Sequence, residues 1–242
     1  MPLEEDLNMN DDFAFTGFSK ETLSFFRGLK RNNAKVWFDN HKAEYEKEVL
    51  EPAKAFVVAL GQKIRESVPG IIADPKINRS IFRIYRDTRF SPDKTPYKTH
   101  LGLFLWEGGL ARMECPGFYF QLEPAKLFLG AGIYMFSPKM LSRFRRAVVE
   151  PDFGAQLTNI ILNITKAKDF QVGGKHYKRI PSGFEAQHPN ADLLLHNGLH
   201  VWWETPIPDE IYSNDLVQYC WKKYRPYLPL HQWLTSLIGR EF

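Results

Sequence analysis

Seven cations crowd residues 76–100: Lys76, Arg79, Arg83, Arg86, Arg89, Lys94 and Lys98, against only Asp87 and Asp93. A guanidinium is a fixed, planar cation that is costly to bury alone and grips phosphate or carboxylate through paired N–H groups. One reading is therefore a site for a small anionic or phosphorylated ligand, held by Arg79, Arg83, Arg86, Arg89, Lys94 and Lys98, with Tyr97 as a neutral donor. A second is an enzyme using the same pocket, with Asp87 or His100 carrying a proton while the arginines hold charge. A third is a basic face that docks a protein or a nucleic acid. Against all three stands a structural alternative, in which the arginines pair with carboxylates of the fold and lock the loop in place. A concave pocket favours the first two readings, and a flat basic surface favours the third.

Other constellations carry less chemistry. The seven histidines hold one H-x3-H spacing, His196 and His200, but Gly198 interrupts the helix that would align them on one face. There is no H-E-x-x-H, G-x-S-x-G or P-loop, and no cofactor is indicated. Gly117-Phe118-Tyr119-Phe120 lacks the rest of an aromatic RNA-binding strand, so nucleic acid is an unsupported partner. Gly130 and Gly132 share one strand face beside Phe128 and Tyr134, which suits a close approach by a side chain, another backbone or a ligand.

The formal charge is +4, and residues 1–17 carry five carboxylates and no Lys or Arg, which leaves +9 on the rest. That body charge suits an anionic partner. Cys115 and Cys220 form no C-x-x-C pair and read as reduced thiols of a cytoplasmic protein. No apolar run approaches the ~18 residues that span a bilayer, so no membrane partner is expected. The sequence leaves oligomeric state open.

The elements that must position these groups follow from periodicity. Residues 1–17 read as a disordered acidic tail and 18–242 as one domain. Ser19 caps a helix whose stripe is Leu23, Phe26 and Leu29, ended at Asn32-Asn33. A second helical region runs to about residue 67, with Pro52 expected to kink or split it. Residues 77–87 are expected as a strand on their β-branched and aromatic content, followed by a Pro-bounded loop over 91–96. On a strand, Arg79 and Arg83 share a face and Arg86 points away. Further strands are expected near 100–106, 117–123, 127–135 and 200–203. Ser137-Pro138 and Asp152 each start a helix, the second helical region ending at Gly173-Gly174. Pro189 opens a short helix capped by Gly198, and a last helix from 213–214 is interrupted by Pro226 and Pro229.

Residues 82–100, Phe-Arg-Ile-Tyr-Arg-Asp-Thr-Arg-Phe-Ser-Pro-Asp-Lys-Thr-Pro-Tyr-Lys-Thr-His, resemble the signature segment of an uncharacterised bacterial and fungal family, domain of unknown function 2461. Asn32-Asn33 with Trp37-Phe38, Gly130-Ala-Gly-Ile-Tyr134 and His188-Pro-Asn-Ala-Asp192 are similar to its other landmarks, in order. The resemblance implies a single α+β domain and supplies no activity. Together with the element order, it gives an α+β fold with a helical N-terminal third, a central, mostly antiparallel sheet of about four to six strands, and C-terminal helices packed on it.

Overall fold

The computed structural model describes residues 14–166 and 169–240. Its centre is a six-stranded sheet of β1 (Ile71–Ile72), β2 (Leu101–Glu107), β3 (Gly117–Leu122), β4 (Lys126–Ile133), β5 (Gln171–Lys175) and β6 (His196–Pro206). The order is β1-β2-β3-β4-β6-β5, and every neighbouring pair is antiparallel. Side chains alternate along each strand, so the sequence writes two faces. Leu101, Leu103, Leu105, Phe118, Phe120, Leu122, Leu127, Leu129, Ile133, Leu199, Val201 and Trp203 join the main core. Gly102, Phe104, Trp106, Gly117, Tyr119, Gln121, Phe128, Gly130, Gly132, His200 and Trp202 look the other way, and on that side Phe104, Trp106 and Cys115 form a separate small cluster.

The helices cover the first face. These are α1 (Lys20–Arg31), α2 (Lys35–Asn40), α3 (Lys42–Tyr45), α4 (Glu51–Arg65), α5 (Pro138–Val149), α6 (Pro151–Thr165), α7 (Asp215–Tyr224) and α8 (Leu228–Gly239). Ser19 caps α1 by accepting from Thr22 N at 3.1 Å, and Leu23, Phe25, Phe26 and Leu29 are buried. A π-helical turn, Glu46–Leu50, joins α3 to α4. Pro52 lies in the first turn of α4, where its missing N–H costs nothing, so the irregularity falls just before it. Pro226 sits in a 3-10 turn, Arg225–Tyr227, between α7 and α8. Two long-range bonds tie these helices down: Tyr224 Oη donates to Tyr119 O at 2.7 Å, and Trp233 Nε1 donates to Phe153 O at 2.9 Å.

The sheet is antiparallel and the fold α+β, as the sequence leads one to expect. Four local expectations are corrected. Residues 77–87 form no regular strand: a single bridge, Ile81 to Leu103, joins them to the sheet, and another, Tyr85 to Tyr97, closes the loop on itself. Asn78 takes φ +66°, a left-handed turn that its short polar side chain tolerates and that breaks any strand there. Gly173 and Gly174 lie inside β5 rather than ending α6, and Gly198 lies inside β6 rather than capping a helix. Glu150, not Asp152, caps α6, accepting from Phe153 N at 2.5 Å. The acidic tail expected over 1–17 falls on residues 1–13, outside the described residues, and on Phe15, which is buried against Phe18 and Phe56. No helix of the described residues is long and apolar enough to cross a membrane.

Candidate functional site

The arginine-rich segment follows the edge of the sheet, sending Ile81, Ile84 and Tyr97 into the helix-side core and Phe82 onto the face that the helices leave uncovered. Phe82 N donates to Gly102 O at 3.0 Å and Phe104 N to Ser80 O at 2.8 Å, so residues 80–82 ride along the edge of β2. That register sets Phe82 beside Gly102, where a Cβ would come within 3.4 Å of the Phe82 ring and 3.2 Å of Tyr119 Oη. Glycine leaves the aromatic ring room to lie against the strand here, where a side chain would crowd the Tyr119 hydroxyl.

The far end of the segment is clamped from the short loop between α1 and α2. Tyr97 N donates to Asn33 Oδ1 at 3.0 Å, and Asn33 Nδ2 donates to Tyr97 O at 2.9 Å. The Tyr97 ring, 2% exposed, stacks on Phe38 at 4.4 Å. Arg86 then ties the loop to itself, donating to Asp93 Oδ2 at 2.5 Å, to Thr95 O at 3.1 Å and to the Thr95 hydroxyl. A loop with so many internal bonds is a fixed support for its neighbours.

What it supports is a cation cluster. Lys98 Nζ lies 5.4 Å and the Arg112 guanidinium 4.5 Å from the Phe82 ring centroid. Lys98 Nζ donates to Arg83 O at 2.8 Å, and the Arg112 guanidinium donates to Arg79 O. Arg79 itself lies 5.3 Å from the Trp106 ring and pairs with Asp74 at 3.0 Å. Among the described residues no carboxylate forms an ion pair with Arg83, Lys98 or Arg112. Burial, then Arg83 and Arg112, push the Lys98 ammonium below its usual range. Burial, then Arg79, does the same to Arg112.

Beside this cluster the open face hollows into a cleft of about 410 Å³. Gly130 is its floor, opposite Tyr119 on β3 and Trp202 on β6. Phe82 and Met113 line the cationic end, and Tyr134 and His200 the other. The aromatic wall is continuous: Phe82 to Tyr119 at 6.0 Å, Tyr119 to Phe128 at 5.9 Å, Phe128 to Trp202 at 5.4 Å. Polar groups are few. Tyr119 Oη donates to Gln121 Oε1 at 2.5 Å and Gln121 Nε2 to Glu123 Oε1 at 2.7 Å, while His200 Nδ1 is buried without a partner. Burial lowers the His200 pKa, so the ring is neutral at pH 7.

The residues singled out in the sequence thus separate into groups. Lys98 lies over Phe82 at one end of the cleft, Arg79 lies over Trp106 outside the lining, and Arg83 joins them through its backbone carbonyl, which accepts from Lys98 Nζ. Arg86 is spent on the loop, as the structural alternative has it, and Lys94 Nζ donates to Thr88 O at 2.8 Å. Arg89 grips Asp87 through two bonds, 3.0 and 2.7 Å, on the exposed loop. The Arg89 bonds push Asp87 down to about 2, which leaves it fully ionised at neutral pH and away from the cleft lining. Tyr97 is a core residue. His100 is outside the lining too, and burial lowers its pKa although Glu123 is near.

Arg112 went unmarked in the sequence, where it stands alone between Leu110 and Met113 in a loop. The one available signal was a cation beside exposed apolar residues between two strands that flank the site. His196 and His200 do share a strand face on β6, and no group of three or more His, Cys, Asp or Glu among the described residues is placed to hold a metal.

A family described as "Conserved hypothetical protein (DUF2461)" matches residues 21–233. No curated protein matches the chain.

Proposed function

We propose that this chain, which belongs to the DUF2461 family of conserved hypothetical proteins, binds a small anion between Arg83, Lys98 and Arg112 at the mouth of the cleft. The observation that carries this reading is two cations over the Phe82 ring, Lys98 and Arg112, neither in an ion pair with a carboxylate of the described residues, with the Arg83 charge near enough to act on Lys98. Like charges so placed repel, and burial raises that cost for Lys98 and Arg112. A phosphate or carboxylate would relieve the repulsion and accept charge-assisted bonds from all three. The concave cleft beside them supports a ligand over a flat docking face. Two buried thiols, Cys115 and Cys220, support a reducing, cytoplasmic setting.

A thermal-shift titration with inorganic phosphate, pyrophosphate and succinate tests the reading. A ligand at 100 times its Kd stabilises by about 2.7 kcal/mol, which is about 5–10 °C in Tm for a chain of this size. Arg83→Ala and Lys98→Gln should each weaken the response about 10-fold or more, since a bond to a charged group contributes about 1.5–3 kcal/mol. The unliganded Arg83→Ala protein should melt close to wild type, because the exposed Arg83 makes no ion pair among the described residues and acts on Asp87 only through space. No stabilisation by any of the anions, or full responses from both variants, would rule the site out.

A further inference from the structure

We infer that the body of the bound anion is a flat aromatic ring system, lying in the cleft above Gly130 against the wall of Tyr119, Phe128 and Trp202. This rests on the anion reading for its charged head, and the cleft itself supplies the rest.

The open face is unusual in where it lacks side chains. At most of its glycines the space is already filled: a Cβ on Gly117 would meet the Phe104 ring at 2.6 Å, and one on Gly173 would meet His200 at 2.3 Å. Gly130 differs. Its nearest side-chain atoms stand 3.6 Å and 3.8 Å from where a Cβ would be, on Phe128 and Tyr119, and the cleft opens above it. Tyr119 and Trp202 are its register partners on the two flanking strands. The Phe128 ring stands between them, 5.9 Å from Tyr119 and stacked on Trp202 at 5.4 Å. A flat ring entering the cleft above the glycine therefore meets a continuous aromatic wall on which it can stack.

The two ends of the slot differ in polarity, and that orients the ligand. Phe82, carrying Lys98 and Arg112 over its ring, closes one end and takes the charged head. The other end, lined by Tyr134 and His200, holds no cation among the described residues, and burial lowers the His200 pKa, so the charged head has one end to take. A flexible aliphatic tail would fill the same volume, but it would lose more conformational freedom in a slot of this shape and gain no stacking.

Isothermal titration of wild-type protein with 2-naphthyl phosphate, octyl phosphate and 2-naphthol separates ring from charge. The expected result is naphthyl phosphate binding at least about 10-fold tighter than octyl phosphate, a difference of about 1.4 kcal/mol. Trp202→Leu should remove that advantage and leave the response to inorganic phosphate unchanged. Octyl phosphate binding as tightly as naphthyl phosphate overturns the ring and leaves the anion site standing. Naphthol binding as tightly as naphthyl phosphate, unchanged in Lys98→Gln, overturns the charged head instead. Trp202 also stacks on Phe128, so a variant that fails to fold is covered by a second measurement on wild type. Nuclear Overhauser contacts between naphthyl protons and the Trp202 indole are expected at saturation, and their absence overturns the placement.

Discussion

Replacing Asn33 by alanine should loosen the whole cation loop from a distance of 64 residues along the chain. The Asn33 amide makes two bonds to the backbone of Tyr97, at 3.0 and 2.9 Å, and Tyr97 is 2% exposed. Alanine leaves one buried N–H and one buried C=O without these partners. Each orphaned group costs about 1–3 kcal/mol, and partial hydration of the opened site trims the sum to about 2–4 kcal/mol. For a chain of this length that is a fall in Tm of about 5–15 °C. Asn33→Asp keeps the acceptor and loses the donor, so it should cost about half as much. Urea unfolding measures both variants, and a phosphate titration on the same samples measures the site, because Lys98 follows the clamped residue directly. The clamp would be shown unnecessary by an Asn33→Ala loss under about 0.5 kcal/mol with phosphate affinity unchanged.

Acid should destabilise the protein well above the range where carboxylates titrate. Burial depresses His100, His196, His200 and His231 below the usual imidazole value, against the opposing pull of Glu123, of Asp192 and of Glu107 on three of them. The unfolded chain then binds more protons near pH 6, so the stability present above pH ~6.5 is lost as pH falls toward the folded values. A Tm that is flat from pH 7.5 to 5.5 would contradict this, and His231→Gln should shallow the slope. Gly61→Ala should destabilise although alanine is the better helix former. The new Cβ would lie 2.3 Å from Ala73 Cβ, and overpacking of that kind costs about 1–3 kcal/mol. Adding Ala73→Gly should recover most of the loss, and a double variant no better than the single one would refute the contact.

The legible part of the fold is the part governed by a simple period. Leucine and phenylalanine at every second position of β2, β3 and β4 report two faces in the letters alone, and the Ser19 cap with its apolar stripe reports α1. Residues 77–87 mislead because Ile, Phe and Tyr there are held by tertiary contacts. Ile81 and Ile84 are buried, but the segment's backbone pairing is confined to single bridges, Ile81 to Leu103 and Tyr85 to Tyr97. The strand β5 hides behind Gly173 and Gly174, which read as punctuation. Gly173 is needed because the His200 ring lies on it, and Gly174, at φ +105°, packs against the Gly198 carbonyl. The site was half visible. A surplus of cations marks residues 76–100, but which of them pair with Asp74, Asp87 or Asp93 depends on loop geometry that no spacing encodes.

The uncovered sheet face has a consequence for how the molecule behaves in a crowd. A shallow aromatic trough on a sheet is a surface on which two copies would stack, and exposed Tyr134, Met135 and Met113 at its edges would add to that attraction. The cations ringing one end make such a face-to-face meeting unfavourable, since each copy presents the same charge to the other. The side chains proposed to bind an anion would then also oppose self-association of the empty protein, and salt, by screening them, should weaken both effects together.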